Sequence, residues 1–189
     1  MERNPDNARE RIIDAAEQVV VEAGARHLTL EAVASNAGVS RGGLLYHFPN
    51  KEALLKGMLD RLRKHRAESI IKRRAEIPVG PEREAVVYVL SLFDEDAGPN
   101  RYVAAALLAS GAHDPELLAP ARGDYHQTVA DLTKDGLSFE RAAVIMLAAN
   151  GLRLLEVLSM SPFNAKDRRK IVAELLGLAE ENVVKRKEE

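Results

Sequence analysis

The fold of this chain depends on the stretch Thr29–Lys51, which reads TLEAVASNAGVSRGGLLYHFPNK. Thr29 and Ser40 are good N-caps for two short helices, over 30–37 and 41–47, and a glycine ends the first of them. Helices this short cannot persist alone in water, so they must pack against a neighbour. The stretch therefore predicts a helix-turn-helix.

A helix precedes this stretch and a longer one follows it. Apolar residues recur at helical spacing from Ile12 to Val20, and Gly24 stands where that helix would end. Asn50 can cap a long helix that begins at Lys51 and has an apolar face. Because the short helices need the preceding helix as a packing partner, we predict a three-helix unit that presents its third helix outward.

The remainder of the chain is also predicted to be helical. The segment 77–81, which reads IPVGP, is the clearest break. Beyond it, helices are suggested at about 82–94, 100–110, 116–134, 138–159 and 165–185. No alternating strand pattern or internal repeat stands out, so the predicted fold is all-α. We expect a helix-turn-helix domain over residues 1–50 and a second helical domain over 51–189 that includes the connecting helix.

Composition excludes several classes of protein and site. The 189 residues are 46% hydrophobic and 30% charged, which is typical of a globular chain. There is no cysteine, so disulfides and thiolate metal sites are excluded. No apolar run approaches the roughly 18 residues of a membrane span, and the polar N-terminus lacks a signal-peptide core. We expect a cytoplasmic protein without a membrane span, metal or cofactor.

Charge is distributed unevenly along the chain. The formal net charge is −2, but residues 1–75 hold 14 Lys and Arg against 10 Asp and Glu, while the remainder holds 13 against 19. The N-terminal part is therefore basic and the C-terminal part acidic. This asymmetry favours a module that binds a polyanion, joined to a part with another task.

The start of the second short helix carries groups suited to contact with DNA. Gly42 and Gly43 lie in its first turn, where each costs about 1 kcal/mol relative to alanine. Stability alone does not favour them, whereas close approach to a base edge or a sugar-phosphate backbone does. Arg41 can reach a guanine edge or a phosphate, and a major groove of about 12 Å admits one helix.

Further along the stretch, three other side chains are suited to hold phosphates. Tyr46 and His47 end the second short helix as polar aromatic groups. Lys51 starts the long helix, where its charge and the free N–H groups both favour an anion. The alternative is a small helical subdomain with a solvated arginine and an aromatic pair.

These residues closely resemble the N-terminal domain of TetR-family transcriptional repressors, contiguously from about residue 9 to 60. The resemblance rests on fixed positions: Thr29-Leu30-Glu31-Ala32-Val33-Ala34, Ala37-Gly38-Val39-Ser40-Arg41-Gly42, Leu44, Tyr46-His47-Phe48 and Asn50-Lys51-Glu52-Ala53-Leu54-Leu55. The order of later helices is similar to the family's helical ligand-binding and dimerisation domain. The resemblance implies a homodimer on a palindromic operator of duplex DNA, released by a small molecule.

The resemblance also assigns roles within the stretch. It implies that Thr29, Tyr46, His47 and Lys51 hold phosphates, while Arg41 and the two glycines face the groove. One position departs from the family, because Leu45 stands where a tyrosine is usual, which leaves the operator sequence open. The expected DNA contacts are Thr29, Ser40, Arg41, Gly42, Gly43, Tyr46, His47 and Lys51.

The last two predicted helices are candidates for the dimer interface. Small residues among aliphatic ones allow close helix approach, and a symmetric operator mirrors two-fold protein symmetry. The alternative is that both helices are the core of one subunit. The expected interface residues are Ala142, Ile145, Ala149, Leu152, Leu155, Leu175, Leu178 and Ala179.

A ligand cavity is expected in the same domain. Asn150 is the most suggestive residue, because it interrupts an apolar stretch and needs partners if buried. The aliphatic composition suits a small apolar effector, although each residue taken singly is more often core. The expected lining residues are Leu62, His65, Tyr88, Leu92, Phe93, Tyr102, Leu107, His113, Tyr125, Met146 and Asn150.

The leading hypothesis is therefore a ligand-responsive, sequence-specific DNA-binding regulator that represses until an effector releases it. An enzyme is the second hypothesis, since His47, His65, His113 and His126 could act as general acids or bases. No metal spacing, phosphate loop or nucleophile motif accompanies them, so we expect no catalysis. A helical interaction module is the third, and only Leu45 favours it.

Overall fold

The computed structural model describes residues 5–93, 101–134 and 136–180, and the predicted all-α fold is confirmed. Within these ranges there is no strand. The α-helices are α1 (Pro5–Ala23), α2 (Leu30–Ala37), α3 (Arg41–His47), α4 (Lys51–Glu76), α5 (Arg83–Leu92), α6 (Arg101–His113), α7 (Ala119–Lys134), α8 (Phe139–Val157) and α9 (Ala165–Glu180). Two 3₁₀ turns lie at Ala25–His27 and Pro115–Leu118. No described helix is long and apolar enough to cross a membrane.

The helix limits agree with the sequence for the two short helices and differ at two places further along the chain. The predictions of 30–37 and 41–47 for α2 and α3 are confirmed. The helix predicted from 116 instead begins as a 3₁₀ turn, since Asp114 Oδ1 accepts a hydrogen bond from the Glu116 N–H at 3.2 Å. α8 stops at Val157 because Ser159 adopts a left-handed φ of 57°. The limits predicted at 94, 100 and 185 lie outside the described residues.

The first compact unit contains α1, α2, α3, α4 as far as Lys64, α6 and both 3₁₀ turns. Its core forms because α1 presents apolar side chains every three or four residues, which places them on one face. α2 and α6 pack on α1, while α3 and the start of α4 add further side chains. The buried core includes Ile12, Ile13, Ala16, Val20, Val33, Leu44, Phe48, Leu54, Met58, Val103 and Leu107.

The second compact unit contains α4 from His65, together with α5, α7, α8 and α9. α5, α8 and α9 pack on one another, and the alanines of α8 permit a close approach. Its buried core is formed by Ala85, Tyr88, Val89, Leu132, Leu137, Ala142, Ile145, Ala149, Leu175 and Ala179. The domain division predicted at residue 50 stays a prediction, whereas these compact units divide inside α4, between Lys64 and His65.

Most of the side chains predicted for the dimer interface are buried within a single chain. Six of the eight have 0–4% of their surface exposed within a single chain, so they have almost no area left for a partner. They face inward because α8 and α9 form the core of their own unit, which is the alternative that the sequence left open. The six are Ala142, Ile145, Ala149, Leu152, Leu175 and Ala179, while Leu155 and Leu178 are half-buried.

Candidate functional site

Two capping hydroxyls set the starts of α2 and α3. Thr29 Oγ1 accepts a hydrogen bond from the Ala32 N–H at 3.1 Å, and Ser40 Oγ accepts one from the Gly43 N–H at 3.0 Å. Each hydroxyl accepts in its cap and keeps its own O–H as a donor. Thr29 and Ser40 are both exposed, so these O–H groups can donate to a phosphate while the caps stay intact.

At the exposed start of α3, the two residues that follow Arg41 are glycines without side chains. Arg41 keeps 70% of its side chain exposed, and Gly42 faces open space. A Cβ built on Gly43 would lie 3.3 Å from the Ser40 Oγ, so a larger residue there would press on the cap. The glycine pair therefore leaves the backbone of this turn accessible and protects the hydrogen bond that starts the helix.

The opposite end of α3 presents its aromatic pair. Tyr46 is 82% exposed, and its ring meets the half-buried His47 ring edge-on at a centroid distance of 5.1 Å. Lys51 is exposed at the start of α4, and Leu45 is half-buried and has no hydroxyl to offer. All eight residues predicted to contact DNA thus lie at least partly exposed in the helix-turn-helix and at the start of α4.

An ion pair that the sequence analysis missed joins α2 to α3. Arg41 Nη2 lies 3.4 Å from Glu31 Oε1, and the Glu31 side chain is 63% exposed. Glu31 stands in the first turn of α2, where an acidic residue is explained by the helix dipole alone. The sequence shows no sign that its carboxylate reaches across the turn.

α1 and α4 are joined by an arginine that the sequence analysis also missed. Arg61 Nη2 donates to Glu10 Oε2 at 2.7 Å, and Nη1 donates to Asp14 Oδ1 at 2.5 Å, with Glu17 Oε1 at 3.6 Å. Nη2 also donates to the Glu10 carbonyl at 3.0 Å. The three carboxylates are spaced by four and three residues, a stripe on one face of α1 that could have indicated a cationic partner.

This cluster perturbs the charge state of Glu10. The hydrogen bond from Arg61, together with its positive charge, holds the pKa of Glu10 below its ordinary value, while partial burial opposes the shift. Arg61 itself retains only 12% of its side-chain exposure. We call Arg61 with Glu10, Asp14 and Glu17 the α1–α4 latch.

Two further contacts connect α1 to the helix-turn-helix. Arg11 Nη2 donates to the Ala37 carbonyl at 2.9 Å, which satisfies a free carbonyl at the end of α2. The Arg9 guanidinium lies 5.3 Å from the centre of the Phe48 ring. A Cβ on Gly57 would stand 2.7 Å from Phe48 Cε1, so α4 can approach this ring only with glycine there.

In the second unit, four of the predicted pocket residues form a polar network. Asn150 Nδ2 donates to the Tyr88 hydroxyl at 2.5 Å and to the Met146 carbonyl at 2.7 Å. The Tyr125 hydroxyl donates to Asn150 Oδ1 at 3.2 Å. Burial raises the pKa of Tyr88, although the Arg66 charge opposes the shift. The amide of Asn150 thereby links α5, α7 and α8, and we call this the Asn150 network.

A small cavity lies beside this network. Its volume is about 40 Å³. That space holds a few waters, since one water needs about 10–15 Å³ of such volume, whereas ligand pockets usually measure 300–1,000 Å³. An ion pair stands at its wall, where Arg74 meets Glu84 at 2.6 Å. The lining residues are Ile70, Arg74, Glu84, Val87, Tyr88, Thr128, Asp131 and Leu132.

The remaining predicted pocket residues are distributed over both units. Leu92 and Phe93 are partly buried on the apolar core of the second unit, and His65 lies 3.5 Å from Glu68 on α4. The others belong to the first unit, where Leu107 is buried in the core and Leu62 packs against it. Tyr102 and His113, on α6, are exposed.

α8 and its C-cap residue Leu158 carry an apolar stripe on the side away from most of the buried residues of α8. Val144, Leu147, Leu154 and Leu158 are each at least 40% exposed, and nothing lies within 4 Å of a Cβ built on Gly151. These positions alternate in steps of three and four residues, which is the spacing of a helix-pairing seam. We call them the α8 stripe.

Two family models match this chain. The model described as bacterial regulatory proteins, tetR family, matches residues 12–58, and the model described as tetracyclin repressor-like, C-terminal domain, matches residues 82–180.

Individual transcriptional regulators are also similar to this chain. The HTH-type transcriptional regulator TtgR of Pseudomonas putida is 34% identical over 98 residues, which cover 49% of this chain and 46% of that protein. The matched region thus spans about half the length of this relative. BetI of Stenotrophomonas maltophilia, another HTH-type transcriptional regulator, is 27% identical over 172 residues, or 86% of this chain and 88% of that protein. A solved transcriptional regulator from Rhodococcus sp. Rha1 shares the fold, with a TM-score of 0.72 at 23% identity over 92% of this chain and 96% of that one.

The α1–α4 latch makes the folding stability of the chain depend on pH. The pKa of Glu10 is lowered by folding, so its contribution is present above the ordinary value of 4.5 and is lost as pH falls below it. We expect the denaturant midpoint of wild type to fall more steeply from about pH 6 to about pH 3 than that of Glu10→Gln. Glu22→Gln, an exposed change on the same helix outside the latch, should keep the wild-type slope. Parallel curves for Glu10→Gln and wild type would contradict the role of the latch.

Proposed function

The chain belongs to the TetR family of bacterial regulatory proteins, and on that premise we propose that it is a ligand-responsive, sequence-specific DNA-binding transcriptional regulator that acts as a repressor. The observation that carries this proposal is the exposed start of α3. There Arg41 keeps 70% of its side chain exposed beside two glycines, and the O–H of the capping Ser40 remains available as a donor. Cytoplasmic action follows from the need to reach DNA.

The polar groups around α3 fit a division of labour on duplex DNA. We propose that Arg41, Gly42 and Gly43 face the major groove. The donors Thr29, Ser40, Tyr46, His47 and Lys51 are proposed to hold phosphates on either side. Phosphate contacts set position, whereas base-edge contacts set sequence. We propose no enzymatic activity, because the family models that match the chain describe regulatory proteins.

We propose that two copies pair through the α8 stripe to bind a palindromic operator. The stripe is apolar, exposed and heptad-spaced, and Gly151 offers a gap into which a partner's side chain fits. Leu155, one of the originally predicted interface residues, follows the stripe residue Leu154 and keeps part of its surface exposed. A two-fold dimer would place two α3 helices on half-sites one turn of duplex apart, about 34–36 Å.

We propose that a small apolar effector acts in the second unit by opening the Asn150 network. The existing cavity of about 40 Å³ cannot hold such a molecule, so binding must separate side chains that now touch. Asn150 bonds to two tyrosines and one carbonyl, and these bonds can be exchanged for a ligand's polar group. An effector that binds the opened form better shifts the population away from the form that binds DNA.

The DNA proposal is tested by selection from a random duplex library followed by titration. Wild type should enrich a palindrome and bind it more weakly as salt rises. Arg41→Ala should lower the preference for that palindrome over random duplex by about 5- to 150-fold, because one bidentate base contact is worth about 1–3 kcal/mol. Arg26→Ala removes the same charge from an exposed site in the first 3₁₀ turn and should keep the preference. Enrichment of no sequence would contradict the proposal.

The dimer proposal is tested by analytical ultracentrifugation. Leu147→Lys places a charge in the middle of the α8 stripe and should convert the dimer into a folded monomer, with DNA affinity falling at least tenfold, an order-of-magnitude expectation. Ile71→Lys alters a similarly exposed side chain on α4 and should leave the dimer intact. A Leu147→Lys protein that remains dimeric would place the interface elsewhere.

The effector proposal is tested by thermal shift with a panel of small apolar compounds. Those that raise the melting temperature of wild type should also release its operator. Asn150→Leu should lose most of that shift while it still binds DNA. Gln127→Leu removes an exposed amide of α7 that donates to Asp131, outside the Asn150 network, and should respond like wild type. Unchanged shifts in Asn150→Leu would rule out the network as the binding site.

A further inference from the structure

The ion pair between Glu31 and Arg41 places a negative charge on the surface proposed to face DNA. Both side chains are largely exposed, so the pair is accessible to a ligand rather than sealed in the core. An exposed pair of this kind contributes only about 0–1 kcal/mol to stability, so stability does not explain it. Within the part of the chain that the structure describes, Glu31 is the carboxylate recorded beside Arg41.

The carboxylate affects two kinds of DNA contact unequally. A phosphate carries a full negative charge, so Glu31 repels it and neutralises the guanidinium that would attract it. A guanine edge is neutral overall and binds an arginine by directed hydrogen bonds, so the same carboxylate opposes it much less. Phosphate binding supplies essentially all non-specific affinity, whereas base-edge contacts carry sequence information.

We propose that Glu31 is a specificity-determining residue, which restrains Arg41 from indiscriminate phosphate binding and leaves it free for a base edge. The inference rests on the proposed function, because it requires that α3 dock on DNA. The local geometry supports it: Arg41 is the first residue of α3, and the neighbouring Gly42 has no side chain that could hold the guanidinium instead. Glu31 raises the ratio of specific to non-specific affinity because it lowers the non-specific affinity.

The test uses the 189-residue chain and two fluorescent duplexes, the palindrome selected by wild type and a scrambled duplex of equal length. Glu31→Gln should bind the scrambled duplex about three- to tenfold more tightly at low salt. The slope of the logarithm of its affinity against the logarithm of the salt concentration should become steeper by about one unit, which corresponds to one added phosphate contact. Affinity for the palindrome should change by less than about twofold, so the specificity ratio falls. Circular dichroism should show an unchanged fold, because the substituted side chain is exposed.

Two further variants separate a local effect from a change in net charge. Glu22→Gln removes the same charge from α1, and its specificity ratio should stay at the wild-type value. In an Arg41→Ala background, Glu31→Gln should lose most of its effect on the scrambled duplex, because its partner is gone. An unaltered specificity ratio in Glu31→Gln, or an equal fall in Glu22→Gln, would overturn the inference while the proposed function stands. Selection of no palindrome by wild type would overturn the proposed function itself.

Discussion

The apolar face of α1 is the constraint on which the first unit depends. α2 has eight residues and α3 has seven, lengths at which an isolated helix is unstable in water. Both persist because their few aliphatic side chains pack into the core that Ile12, Ile13 and Val20 begin. The capping hydroxyls then determine where each helix starts. The outward position of α3 follows from this inward packing.

The first part of α4 adds to this constraint within the first unit. This part is held to α1 at the latch, where an almost buried guanidinium is shared by three carboxylates, and at Gly57, where the absence of a Cβ admits the ring of Phe48. Burial makes such a charge cluster costly to leave incomplete. The same helix continues into the second unit from His65 onward. One continuous element therefore belongs to both units.

The second unit combines a closed polar network with an apolar face left open. The amide of Asn150 satisfies two tyrosines and a backbone carbonyl, so the polar groups at this site have partners without any ligand. The α8 stripe, in contrast, keeps its aliphatic side chains in solvent. Contiguous exposed apolar surface is typical of interaction sites, whereas the polar groups of the Asn150 network are satisfied within the chain.

The sequence by itself determined the helices, their caps and the exposed chemistry at the start of α3, because each depends on residues within one or two turns of one another. The sequence named Tyr88, Tyr125, Met146 and Asn150 among eleven candidate pocket residues, but it did not indicate the hydrogen bonds that join them. Only the tertiary structure decided which face of α8 is buried, since both faces are apolar and helical spacing cannot rank them. It alone joined Arg61 to Glu10, which is 51 residues away, and Arg41 to Glu31 across a turn. Such pairs depend on how helices pack, and packing is a property of the whole core rather than of any segment.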